Sequence, residues 1–162
     1  VITNQDIFGN LAKRLNPYVL SENTLKEIFE IRLVLEIGMA DLLFKHVTDE
    51  DIKDLKAIVK NEPASTSGEK FEASYEIQFH GKLYQISKNE TLIKFQSLLL
   101  PVFDFVEKSD LIEPAKNPKK FVSHKQLIGI LEKGTPEEFR NGMRAHLSSH
   151  FIRLERKELN LL

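Results

Sequence analysis

The sequence predicts an all-α protein: an antiparallel bundle of about six to seven helices in a single domain. Three features lead there. Apolar residues recur at three- and four-residue steps along most of the chain, the period of one helix face. Several of these runs open on Ser, Thr or Asn and stop at Pro or Gly, residues that cap and break helices. No segment reads as a β-strand, and no internal repeat or low-complexity tract interrupts the pattern. With 162 residues the chain can bury roughly two-thirds of the surface its unfolded form exposes, enough for one sizeable core.

The elements follow in order. Residues 5 to 15 carry Ile7, Phe8, Leu11, Ala12 and Leu15 at helical spacing, and Asn16 with Pro17 stops them. A second and longest helix opens after Ser21 and runs to about His46 on Leu25, Ile28, Phe29, Leu35, Met39 and Leu43. Thr48 caps a third, with Asp49, Glu50 and Asp51 complementing its positive end. That acidic run lacks the glycine and distal Glu of an EF-hand loop. His46 reads as a surface residue stabilising a helix C-terminus.

The segment NEPASTSGEK, 61 to 70, is a loop, and a fourth helix covers roughly 69 to 87. Glu76 and His80, four apart, project from one face of it beside the stripe Tyr75, Phe79, Leu83 and Ile86. A fifth helix runs from Glu90 toward Lys108 behind Asn89, and Pro101 should kink it beside a pocket. The stretch SDLIEPAKNPKK forms the longest connection.

HKQLIGILEKGTPEEFRNGMRAH, His124 to His146, is a helical hairpin. Gly134 suits a left-handed C-terminal cap, and Thr135 with Glu138 forms a capping box with Pro136 at the first helical position. Each histidine lies eleven residues from Thr135, so a rise of ~1.5 Å per residue sets both at one height on antiparallel neighbours. Both fall in apolar stripes, His124 with Leu127, Ile128 and Leu131, His146 with Phe139, Met143 and Leu147. Inward imidazoles need partners. The last helix continues past His146 through His150, Phe151, Leu154 and Leu159.

Composition narrows the chemistry. A net charge of −1 offers no basic surface for a phosphate backbone or an anionic membrane. The absence of cysteine removes disulfides, thiolate ligands and thiol nucleophiles, and fits a cytoplasmic protein. The amino end is polar and amphipathic rather than signal-like. LLLPVFDFV, Leu98 to Val106, falls well short of the ~20 residues that span a bilayer. What remains is His80, His124 and His146 with Glu76, imidazole and carboxylate donors that suit a divalent metal. The residues alone leave a hydrogen-bonded histidine cluster open beside it. HExxH, Glu-x-x-His, glycine-rich phosphate loops and a nucleophile triad are all missing.

Over about residues 22 to 150 the chain resembles the effector-binding C-terminal domain of FadR-like transcriptional regulators in the GntR superfamily. EIRLVLE, Glu30 to Glu36, carries the resemblance with TDEDIKDL, EIQFH, SKN and above all HKQLIGILEKGTPEEFRNGMRAHL. It implies an antiparallel helical bundle around a pocket and a divalent transition metal, zinc or nickel, on Glu76, His80, His124 and His146. Glu76 replaces the family's more frequent Asp, Lys88 of SKN stands where SGN is commoner, and Thr135 replaces a usual Asp. Arg32 matches the family's arginine and, with Asn89, is the implied effector contact. The effector would be a small organic acid or sugar acid. The resemblance further implies a cytoplasmic homodimer with no catalytic residue, and a winged helix-turn-helix ahead of this chain that binds DNA. Two other readings stand beside it: a metal-dependent hydrolase using a metal-bound water, and a metal-free helical dimerisation module.

Overall fold

Side chains take over the unsatisfied backbone donors at the start of most helices, and this sets where each begins. The computed structural model describes residues 8, 11, 15–60, 62, 73–108 and 122–148. A 3-10 turn, Pro17–Val19, precedes α1, Glu22–Gly38, whose Thr24 N–H donates to Ser21 Oγ at 3.2 Å. After α2, Ala40–His46, Thr48 and Asp51 close a capping box on α3, Asp49–Val59. Next come α4, Ala73–Ile86, and α5, Glu90–Lys108, where Leu92 N–H donates to Asn89 Oδ1 at 3.0 Å. Ser123 with Gln126 caps α6, His124–Lys133, and Thr135 with Glu138 caps α7, Pro136–His146. No strand occurs among the described residues, and no described helix is long and apolar enough to cross a membrane.

Six helices close a ring: α1 packs on α5, α5 on α4, α4 on α3, α3 on α6, α6 on α7, and α7 back on α1. The seventh, α2, touches α1, α4 and α7. Leu25, Phe29 and Leu33 of α1, Phe79 and Leu83 of α4, Leu127 and Leu131 of α6, and Phe139 and Met143 of α7 fill the interior. Phe29 meets Phe103 edge-on at 5.9 Å between centroids, and Phe44 meets Phe139 likewise at 6.1 Å. Burying each such side chain contributes ~1.5–3 kcal/mol. The ring faces α4 toward the α6–α7 hairpin.

Several sequence expectations need correction. The helix expected from Ser21 to His46 is broken at Met39, where ψ is −2°. Gly38, a weak helix former, precedes the break. The break lets one stretch serve two packings, α1 against α5 and α2 against α4. His46 is half-buried, not a surface residue: its Nδ1–H donates to the Ser87 carbonyl at 2.9 Å and ties the end of α2 to the turn after α4. Of the first helix, Phe8 and Leu11 are helical and the rest lies outside the described residues. So do the 61–70 loop except Glu62, the connection after Lys108 up to Phe121, and the chain beyond Ser148.

Gly134 is not left-handed. Its φ of −98° and ψ of −154° are extended, and the hairpin needs glycine there for space. A Cβ would stand 2.8 Å from the Ile130 carbonyl oxygen and 2.9 Å from Glu138 Oε2, the capping carboxylate. The described non-glycine residue with positive φ is instead Lys88, at 52°, in the turn between α4 and α5.

Two stability outcomes follow from these backbones. A left-handed cap tolerates Asn, whereas crowding rejects any side chain. Gly134→Ala and Gly134→Asn are therefore expected to lose about 1–3 kcal/mol alike in urea unfolding. An Asn variant as stable as the parent would contradict the crowding. Conversely, Lys88→Gly is expected to gain about 0.5–1 kcal/mol, because relief of the left-handed penalty exceeds glycine's extra entropy in the unfolded chain. A midpoint unchanged or lowered in the same assay would count against that strain.

Candidate metal centre

The ring and the hairpin bring Glu76, His80, His124 and His146 to one point. Glu76 and His80 come from successive turns of α4, His124 is the first residue of α6, and His146 the last of α7. Each is at most 3% exposed, and one ligand atom from each lies within 4.8 Å of all the others. The equal-height expectation for the hairpin holds: the His124 and His146 rings sit 4.6 Å apart. Gly142 permits the approach, since a Cβ there would stand 2.8 Å from Ile130 Cδ1 and 3.2 Å from Leu127 Cδ2.

All three Nε2 atoms face inward. His80 Nε2 is 3.1 Å from Glu76 Oε2, His124 Nε2 is 3.2 Å from Glu76 Oε1, and His80 and His146 meet Nε2 to Nε2 at 3.3 Å. Each Nδ1 faces an acceptor outside the cluster: Glu36 Oε2 at 2.7 Å for His80, Glu62 Oε1 at 2.6 Å for His124, and the Val122 carbonyl at 2.8 Å for His146. A carbonyl accepts and never donates, so His146 carries its proton on Nδ1 and turns a lone pair inward. The Ser123 capping box fixes the chain entry that aims Val122 at it.

Burial sets the charges. It is the largest influence on His146 and, with the neighbouring His124 and His80 outweighing the pull of Glu76, lowers that imidazole to about 3. Burial also opposes protonation of His124, yet the Glu62 and Glu76 carboxylates beside its two nitrogens raise it to about 9. His80 is raised as well, Glu36 prevailing over burial. Without a metal, cationic His80 therefore donates its Nε2–H to His146. Burial would raise Glu36, but Arg32 and His80 hold it at about 2, and Glu76 is held well below the carboxylate range against burial by His124 and His80.

The arrangement fits a divalent cation. Both oxygens of Glu76 and Nε2 of His124 at the centre, and His80 Nδ1 with Glu36 Oε2 outside it, are buried with no aligned hydrogen bond, although the ion-pair distances are short. Imidazole nitrogen and carboxylate oxygen are donors that zinc and similar ions accept. Outward Nδ1–H groups on fixed acceptors are the usual support of histidine ligands. Glu76, in place of the commoner Asp, reaches the other donors.

Arg32 serves two purposes. Its Nε donates to Glu36 Oε1 at 2.8 Å, the turn-to-turn pairing expected of a structural arginine, and its guanidinium lies 5.3 Å from the Phe103 ring. It also stands 3.7 Å from Glu76 Oε2 and lines a cleft with Glu36, Glu76, His80, Gln96 and Asp104. The cleft opens beside Pro101, where α5 lacks a backbone N–H. Asn89 is exposed, caps α5 and is not among the cleft residues. Sequence reasoning missed Glu62, Gln96, Asp104 and the Val122 carbonyl. Gln96 carried a signal, sitting eight residues before Asp104 on one helix face; Glu62 carried none.

The family model of the FCD domain matches residues 27–149, a span that includes all four clustered residues, Arg32 and Glu62. Neither the curated proteins nor the solved structures include a match to the chain.

The metal-free protein should be most stable near pH 6.5. His124, raised to about 9, contributes stability that is present below 6.5 and lost as pH rises through 9, on the order of 3 kcal/mol. His146, lowered to about 3, contributes stability present above 6.5 and lost as pH falls toward 3, and Glu36 adds to that loss below 4.5. Urea unfolding of chelator-treated protein at pH 5, 6.5 and 9 measures both limbs. His124→Ala should flatten the alkaline limb; stability in the parent that climbs steadily to pH 9 would contradict these assignments.

Proposed function

The chain belongs to the FCD domain family, the effector-binding C-terminal domain of GntR/FadR-type regulators, and we propose that its sensor site is a metal centre. Glu76, His80, His124 and His146 hold a divalent ion, zinc or nickel, and a small organic acid or sugar acid docks beside it. One observation supports this above the others: the Nε2 atoms of His80 and His124 meet the two oxygens of Glu76, that of His146 meets His80, and every Nδ1 faces an outer acceptor. When bound, the ion supplies a Lewis-acidic position that takes a carboxylate oxygen. Arg32, from the cleft wall, adds a second positive contact for the same carboxylate.

The cleft accounts for sensing. Its cavity volume is about 20 Å³, room for about one water molecule and too little for an organic acid. An organic acid would therefore press on the cleft walls, among them Leu100 and Phe103 of α5, a helix that packs on both α1 and α4. Ligand binding is thereby linked to helix packing, which a homodimer passes to a winged helix-turn-helix DNA-binding domain in the cytoplasm. Recognition suits these residues better than turnover. Glu36, the further carboxylate on His80, is committed to Arg32 and held at about 2, which leaves it a poor general base.

Metal analysis of untagged protein tests the centre. One equivalent of metal per chain is expected, lost in His124→Ala and Glu76→Ala; a metal-free parent whose variants keep its stability would reject it. A thermal-shift screen of organic acids on the metal-loaded protein should then give stabilisation that disappears after chelation. No response to any acid would remove the effector reading, and metal-dependent ester hydrolysis would favour an enzyme.

A further inference from the structure

The three outer acceptors are not equivalent. Val122 offers a neutral carbonyl to His146, and Glu36 is a buried carboxylate shared between His80 and Arg32. Glu62 is a carboxylate with 27% of its side chain exposed, and its Oε1 lies 2.6 Å from His124 Nδ1. Its place is set by the end of α3, for its backbone N–H donates to the Val59 carbonyl at 3.2 Å, and α3 packs directly on α6, the helix that begins with His124. Carboxylate, imidazole and cluster thus form a line: Glu62 Oε1, His124 Nδ1, His124 Nε2, Glu76 Oε1.

Charge makes Glu62 more than a support. Among the groups in this network, Glu36, Glu62 and Glu76 bring three negative charges and Arg32 one positive charge. With the imidazoles neutral, as metal ligation requires, this excess of carboxylates suits a divalent cation. A carboxylate on the outer nitrogen also makes an imidazole a stronger donor than a carbonyl does.

We propose that Glu62 is the positioning residue of the metal centre, holding His124 with Nδ1–H outward and Nε2 inward and supplying the charge that fits the site to a divalent ion. This rests on the metal reading above. Glu62 is not among the residues that line the cleft, and its side chain reaches the cluster through His124.

Zinc titration against a chromophoric chelator, on the full chain, tests the inference with Glu62→Gln, Glu62→Ala and Glu132→Gln. Gln keeps an acceptor oxygen and loses the charge. Glu132 bonds Lys56 at 3.0 Å across the same α3–α6 contact without reaching His124, so its variant reports packing alone. Expected are parent affinity in Glu132→Gln, roughly tenfold weaker zinc in Glu62→Gln, and up to about 100-fold weaker zinc in Glu62→Ala. The cobalt(II) absorption bands, which report ligand geometry rather than stability, should shift in Glu62→Ala and not in Glu132→Gln. Equal zinc affinity in all four proteins overturns the role of Glu62, as do equal losses in Glu62→Gln and Glu132→Gln. A parent that binds no zinc, or binding that survives His124→Ala, overturns the metal centre and this inference together.

Discussion

Everything in this bundle is arranged around polar atoms placed where apolar contacts would be cheaper. A buried polar atom with no partner costs about 1–3 kcal/mol, and at the centre of the ring both oxygens of Glu76 and Nε2 of His124 have ion-pair neighbours but no aligned hydrogen bond. Layers of Leu, Phe and Met from α1, α4, α6 and α7 offset that cost. The interior is therefore stable enough to hold a poorly satisfied cluster in place rather than relax around it. A network kept under-satisfied by its surroundings favours a bound cation over rearrangement.

The surroundings do this by geometry set locally. The Ser123 capping box fixes how the chain enters α6, and the Thr135 box fixes its entry to α7. Between them, glycines at 134 and 142 allow close approach where a Cβ would collide. The helical hairpin can then bring two imidazole rings to 4.6 Å, tilted by 49° to one another. The opposing pair on α4 needs no special turn, only the four-residue spacing of Glu76 and His80.

Much of this was legible in the sequence, for identifiable reasons. The four clustered residues and the hairpin register follow from helical periodicity and caps, signals that act within about a dozen residues. The break at Met39 was not legible, because the apolar stripe continues across it; the ring, with α5 and α4 on different sides, decides it. Gly134 was assigned the right role for the wrong reason: glycine ends helices both by left-handed backbone and by leaving room, and only the Ile130 carbonyl distinguishes them. Lys88 shows the converse, a left-handed position occupied by a residue with a Cβ. Glu62 could not be found from the sequence because its contact spans 62 positions and follows no period. Arg32, an effector contact only by resemblance, is paired with Glu36 one turn on and still stands in the cleft wall.

The fifth helix supplies the cleft with Gln96, Leu100, Phe103 and Asp104, yet none of the four clustered residues lies on it, nor does any acceptor for their outer nitrogens. The parts of the chain that would grip an ion and the part that would judge its companion are thus separate stretches of sequence. Substitutions along that one wall leave every ligand atom and every outer acceptor unchanged in the sequence, and reach the cage through Arg32, which stands between the Phe103 ring and Glu76. A scaffold divided in this way can acquire a new taste without first losing its tongue.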